Sequence, residues 1–168
     1  MSEWDIVIAH PPCTFLTLSA NRWYEVEKYG EKARQRQIDR YKAIVFFMHF
    51  VLAHCKRIAV ENPVGVMNTA YRKPDCIVHP YMFGDDAKKK TCFWLKGLPP
   101  LLPTKWIEPT TVITGNRKDS PWHVYTWRLP KEERSRERSK TFPGIAKAMA
   151  EQWSSYVLSE IESNRTFY

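Results

Sequence analysis

The sequence predicts an α/β fold, a mostly parallel sheet with flanking helices, and three observations predict it. An apolar run (Ile6-Val7-Ile8), a long helical pattern over residues 31–54 and a second apolar run (Ile58-Ala59-Val60) follow in the order strand, helix, strand. Parallel neighbours need a crossover of that kind, and such crossovers are right-handed. Both strands run into residues with chemistry: Pro11-Pro12-Cys13 closes the first and Glu61-Asn62-Pro63 the second. Open α/β sheets place their ligands at the carboxyl ends of strands.

Taken in order, residues 5–9 form the first strand. Residues 14–29 are polar and aromatic with no clear period, which predicts a loop with a short helix near the strand end. In residues 31–54, Ile38, Tyr41, Ile44, Val45, Met48 and Val51 or Leu52 recur at helical spacing. The first turns of that helix are charged and the second half is apolar, so the second half is expected to be buried. Residues 57–60 make the second strand, followed by a loop through Pro63 and Gly65. Residues 71–90 are polar and contain proline. Residues 91–95 are a third apolar run, closed by Gly97 and Pro99-Pro100. Weak alternation at Val112-Ile113 and Val124-Tyr125 predicts loops with short strands over residues 104–127. The charge run of residues 131–140 is a solvated helix face or a loop. Residues 145–162 form another helix, with Ile145, Met149, Trp153, Tyr156 and Val157 on one face.

At 168 residues the chain is expected to be one domain spanning 1–168, with 99–140 as its variable, possible DNA-contacting region. A 43% hydrophobic and 26% charged composition excludes a disordered chain. A formal charge of +8 favours a polyanionic partner, DNA or RNA first, although a basic domain with no such partner fits the charge alone. Seven tryptophans serve either the core or base stacking. Cys13, Cys55, Cys76 and Cys92 form no CxxC pair, which argues against a zinc site and against a disulfide scaffold and predicts reduced thiols. The acidic start, Met1-Ser2-Glu3, is unlike a signal peptide, and the apolar stretch of residues 43–53 is too short to span a bilayer. A soluble cytoplasmic protein is expected.

A thiol and a carboxylate at the ends of neighbouring strands are the two groups needed to attack the C6 carbon of a pyrimidine. C5 of cytosine is a poor nucleophile until a thiolate adds to C6 and makes it enamine-like. A carboxylic acid near N3 meets the charge that develops in the ring. Cys13 and Glu61, with a helix crossover between them, would emerge at the same sheet edge.

Pro12-Cys13 resembles the catalytic Pro-Cys motif of DNA cytosine-5 methyltransferases, and Glu61-Asn62-Pro63 resembles that family's Glu-Asn-Val motif with proline in third place. The chain is most similar to short phage and prophage members. Their Ala-His-Pro-Pro-Cys-Thr, Glu-Asn-Pro-Val-Gly, Tyr-Arg-Lys-Pro and Lys-Lys-Thr-Cys-X-Trp-Leu-Lys-Gly-Leu-Pro segments recur here in order. The resemblance implies an incomplete Rossmann-like sheet of the methyltransferase type. It also implies DNA as partner, Cys13 as nucleophile in a loop stiffened by Pro12, Glu61 as base-binding acid and Asn62 as the residue positioning that loop. It points to Lys89, Lys90 and Thr91 as phosphate or base contacts, with Arg72, Lys73 and Arg22 as weaker candidates. Arg22 lies in the loop that in the family folds over an extruded base. His10, beside the site, is expected to be structural.

The family's donor, S-adenosylmethionine, is held by a Gly-rich turn after the first strand of its sheet, and the six glycines here form no GxG pair. The expectation is therefore a catalytic half whose donor site lies in a second subunit, in a longer reading frame, or nowhere. An open first-strand edge would suit that subunit or a homodimer. Two alternatives remain: an inactive nucleic-acid-binding remnant or decoy of the same fold, and an enzyme applying the same cysteine chemistry to a free pyrimidine nucleotide.

Overall fold

A computed structural model describes residues 4–165, so residues 1–3 of the acidic start lie outside the described residues. The chain divides into two compact units, Met1–Ile77 with Lys90–Pro100, and Val78–Lys89 with Leu101–Tyr168.

The first unit is built on β1 (Val7–Ala9), α1 (Val26–Tyr29), α2 (Glu31–Val51), β2 (Ile58–Pro63), α3 (Met67–Ala70), β3 (Cys76–Val78) and β4 (Thr91–Lys96), with a 3-10 helix at Leu18–Tyr24. The sheet order is β1-β2-β4-β3, which leaves β1 at an edge. β1 and β2 pair in parallel across α2, as the strand-helix-strand order predicts, with Val7 opposite Ile58 and Ala9 opposite Val60. β4 runs antiparallel to β2, with Glu61 opposite Phe93 and Asn62 opposite Cys92. The sheet is thus mixed rather than mostly parallel. The physical reason is the missing crossover helix: residues 64–90, between β2 and β4, hold only the four-residue α3 and a three-residue 3-10 turn. Parallel neighbours are usually joined by an α-helix packed on the sheet.

Two strand expectations are also corrected. β2 continues through Pro63, so Glu61 and Asn62 belong to the ladder rather than to the loop beyond it. β3 falls in the stretch read as polar, since three residues (Cys76-Ile77-Val78) carry too little pattern to show.

The core of this unit gathers Leu16, Phe47, Ile58, Val60, Met67, Cys92 and Trp94. Phe47 meets Trp94 edge-on with ring centroids 5.1 Å apart. The indole Nε1–H donates to the Arg72 carbonyl over 2.8 Å, which satisfies the one polar atom of a side chain otherwise buried. On α2, Ile44, Met48 and Val51 pack on this core as expected, but Tyr41 is 69% exposed, Leu52 just past the helix is 73% exposed, and Ile38 and Val45 are exposed too. The second half of α2 is apolar all round, so spacing alone does not choose a face. Phe47 does, by its fit against Trp94.

The second unit holds an antiparallel hairpin of β5 (Val112–Thr114) and β6 (Arg117–Asp119). Four helices follow: α4 (Pro121–Arg128), α5 (Lys131–Ser139), α6 (Pro143–Ala148) and α7 (Ser154–Arg165), with a π-helical turn at Met149–Trp153 joining the last two. Ile145, Met149, Trp153 and Val157 are buried, as their shared face predicts. Val124-Tyr125 lies in α4 and not in a strand. Ser120-Pro121, a serine before a proline at the first helical position, was the start signal. Among the described residues no helix is long and apolar enough to cross a membrane.

Candidate active site

The site grows out of the register of the parallel pair. Ala9 faces Val60, an offset of 51 residues, and the same offset continues beyond the end of β1. His10 Nδ1 lies 3.2 Å from Glu61 Oε2. One residue on, Asn62 Nδ2 donates to the Pro11 carbonyl over 2.8 Å. Both contacts join the segment leading to Cys13 to the end of β2.

The chain then turns on the cysteine itself. The Cys13 carbonyl accepts from Leu16 N–H (2.9 Å) and Thr17 N–H (3.2 Å), so the thiol sits at the start of a tight turn. The loop leaving this turn is joined to the loop leaving β2. Val66 N–H donates to the Leu16 carbonyl over 2.8 Å, and Thr17 and Gly65 form an isolated β-bridge. A Cβ on Gly65 would overlap that same Leu16 carbonyl, so only glycine lets the two loops come this close.

Solvent access separates the cysteines. Cys13 is exposed, Cys76 is half-buried, and Cys55 and Cys92 are buried. Burial first, and the charge of Glu61 in the same direction, push the Cys92 thiol up to about 11. Cys92 is thus a neutral thiol at physiological pH, although it lies directly across the ladder from Asn62. The Glu61 side chain is 16% exposed and that of His10 36%, so the acid is the more buried member of the pair.

The structure brings Pro12, Cys13, Glu61 and Asn62 to one end of β1 and β2. The expected nucleic-acid contacts scatter more widely. Thr91 is 4% exposed at the start of β4, opposite Pro63, so a surface contact through it is excluded by burial. Lys90 and Lys73 are exposed. Lys89 belongs to the second unit and donates to the Arg138 carbonyl over 3.0 Å. Arg22 is exposed and stacks over Trp23, its guanidinium 4.7 Å from the ring centroid.

Arg72 is engaged within its own unit. It pairs with Asp75 at 2.7 Å and donates to the Leu95 carbonyl at 3.0 Å, and the bond to Asp75 holds its pKa above the ordinary arginine value. Burial pushes the Asp75 carboxyl up, but Arg72 and the Leu95 N–H together hold it below the usual carboxylate range.

The partner that satisfies His10 is the acid itself. The signal was present in the register, because a parallel pair that aligns Pro11 with Asn62 must align His10 with Glu61.

Nothing among the described residues of this unit points to an S-adenosylmethionine site: Gly30, which stands open, has no second glycine beside it, and the two closely packed glycines are filled by the chain. The Leu16 carbonyl occupies the space at Gly65, and the Lys56 carbonyl lies 2.5 Å from where a Cβ would stand at Gly97. Among the described residues no group of three His, Cys, Asp or Glu side chains is placed to hold a metal ion. No protein-family model, curated protein or solved structure matches the chain.

Proposed function

We propose that the first unit carries the nucleophilic part of a site acting on C5 of cytosine in DNA, in a Rossmann-like catalytic domain of the cytosine-5 methyltransferase type. Cys13 as thiolate adds to C6. The S–C6 bond forms, the C5–C6 π pair shifts to C4–C5, and the C4–N3 pair moves onto N3, which takes the proton of the Glu61 carboxyl. C5 is then an enamine carbon able to accept an electrophile. After an electrophile adds to C5 and the N3 lone pair re-forms C4=N3, water or hydroxide takes the C5 proton, its electron pair restores C5=C6 as the thiolate leaves, and the N3 proton returns to Glu61. Asn62 holds the nucleophile's loop and His10 holds the carboxyl in orientation.

One observation carries this reading: the Asn62–Pro11 hydrogen bond, which fixes an exposed cysteine's loop to the strand that bears the acid. The net charge of +8 supports a DNA partner. A nucleophilic thiol acting on DNA fits a reducing cytoplasm.

S-adenosylmethionine enters only as the ligand of a second polypeptide, another copy of this chain included. Its dock would be the open β1 edge, where Ile8 is exposed.

The test needs no methyl donor. With deuterated water as the electrophile, a reversible adduct exchanges the C5 hydrogen of cytosine, which mass spectrometry reads on a short single-stranded oligodeoxynucleotide. Exchange should occur with the wild type, vanish in Cys13→Ser and slow in Glu61→Gln. Oligonucleotide binding without exchange would instead make the chain a binding protein of the same architecture.

A further inference from the structure

Beside the nucleophile's loop lies a surface groove of about 530 Å3 whose walls are aromatic and cationic: Phe15, Trp23, Tyr29, Lys32, Arg36 and Asp39. Its volume is that of a small-molecule site, large enough for a nucleotide. We propose that it holds the nucleotide next to the reacting cytosine, with the base on the aromatic rings and the phosphate at Lys32 and Arg36. The proposal rests on a nucleic-acid strand being the substrate of the Cys13 site, and it names how that strand is gripped.

The groove is built by the same loop that presents Cys13. Arg40 of α2 fastens that loop: its Nε donates to the Phe15 carbonyl (3.0 Å), a terminal nitrogen donates to Asn21 Oδ1 (2.7 Å), and its guanidinium lies 3.4 Å from the Tyr24 ring centroid. The Tyr24 hydroxyl also donates to the Phe15 carbonyl, at 3.0 Å. These contacts commit Arg40 and Tyr24 to the fold. They leave Arg36, one turn earlier on α2, in a different condition. Its guanidinium lies over Phe15 and Tyr24, 5.2 and 5.3 Å from the ring centroids, and its Nε is buried with no hydrogen-bond partner among the described residues. A donor left in that state is costly unless something arrives to accept from it.

Lys32 stands one further turn back on the same face. Opposite, Trp23 and Tyr29 tilt towards each other at 46° with centroids 5.0 Å apart. The Arg22 and Lys28 cations lie over these two rings, at 4.7 and 5.6 Å, adding positive charge at the rim. Asp39 is the one carboxylate in the lining, and its Oδ1 accepts from Gln35 Nε2 at 3.1 Å. Aromatic faces, two cations and one amine-accepting carboxylate together suit a nucleotide's base and phosphate. Stacking is tolerant of base identity, so the groove grips the strand without reading its sequence.

The probe is a short single-stranded oligodeoxynucleotide carrying 2-aminopurine beside its cytosine, whose fluorescence falls on stacking. Wild type should quench it. Trp23→Ala should remove the quench and weaken binding about tenfold, the scale of one lost stacking contact. Lys32→Gln should lower the slope of log affinity against log salt by about one. Trp23 and Lys32 are exposed, and unchanged thermal melts confirm that the variants fold. Unchanged quench, affinity and salt slope in both variants would overturn the groove even if C5 exchange proceeds. Conversely, affinity that depends on Trp23 and Lys32 while exchange is absent keeps the groove and discards the chemistry. Deoxycytidine monophosphate binding as tightly as the oligonucleotide would overturn the assignment to a strand.

Discussion

Asn62→Ala isolates the contact on which the site depends. Asn62 is 1% exposed and donates to the Pro11 carbonyl over 2.8 Å, while its Oδ1 is buried without a partner among the described residues. Truncation removes a hydrogen bond worth about 1 kcal/mol net and strands the Pro11 carbonyl at a cost of about 1–3 kcal/mol. Removing the orphaned Oδ1 offsets part of this, so the expected loss is about 1.5–3 kcal/mol. Urea unfolding followed by circular dichroism should show a lower midpoint at an unchanged m-value. Asn62→Asp sharpens the test. An ionised carboxylate has no proton to give Pro11 and is buried beside its carbonyl, so at neutral pH it should destabilise more than alanine. Burial raises the folded pKa of that aspartate above its unfolded value. The penalty is therefore full above the folded pKa and is relieved as pH falls through it, when the protonated carboxyl can donate to Pro11. Asn62→Ala should lack this pH dependence. An Asn62→Asp protein as stable as Asn62→Ala at all pH values would refute the clamp.

Three further outcomes follow from the same geometry. Gly65→Ala should cost about 1–3 kcal/mol by forcing a methyl into the Leu16 carbonyl, and it should reduce C5 exchange more than its stability loss explains. A thiol-reactive probe at neutral pH should label Cys13 rapidly and spare Cys92 until urea unfolds the chain; rapid labelling that survives in Cys13→Ser would contradict the ranking of the thiols. Because the folded Asp75 titrates below its unfolded value, its stabilisation is present above that value and disappears as pH falls through the folded pKa. Asp75→Asn should flatten the acid limb of the stability profile, and an unaltered limb would show that the Arg72 pair does not contribute there.

The path of the chain through β1, α2 and β2 was legible because each of those elements carries a strong local signal: two β-branched apolar runs and a long helix between them. The direction of β4 was not, since Thr91-Cys92-Phe93-Trp94-Leu95 is as apolar as any parallel strand, and what sets its sense is the lack of a crossover helix in residues 64–90. The exposed half of α2 escaped for a related reason, that an all-round apolar helix tells nothing of which side meets Trp94. At the site, Cys13, Glu61 and Asn62 were readable as residue types. The bond from Asn62 to a proline carbonyl was not, since backbone acceptors leave no mark in sequence. Thr91 misled through its neighbours: a lysine run precedes it, but antiparallel pairing with Pro63 turns it inward.

The antiparallel passage of β4 also bears on how one thiol is selected for chemistry. Glu61 is the neighbour of Asn62, which holds the loop of one cysteine, Cys13, and lies across the ladder from another, Cys92. Its negative charge disfavours a second negative charge nearby, and at Cys92 burial adds to that effect, so the thiol stays neutral. Cys13 stands in solvent, carried there by the turn after Pro12. An acid placed to protonate a ring thus also helps, when itself ionised, to hold the buried sulfur neutral, and the exposed sulfur is the one a substrate can reach. Moving the acid one residue along β2 would reverse its face in the pleat and lose both effects together. Glu61→Gln should therefore slow C5 exchange and, by removing that charge, lower the Cys92 pKa, whereas a Cys92 pKa that stays put would assign the whole shift to burial.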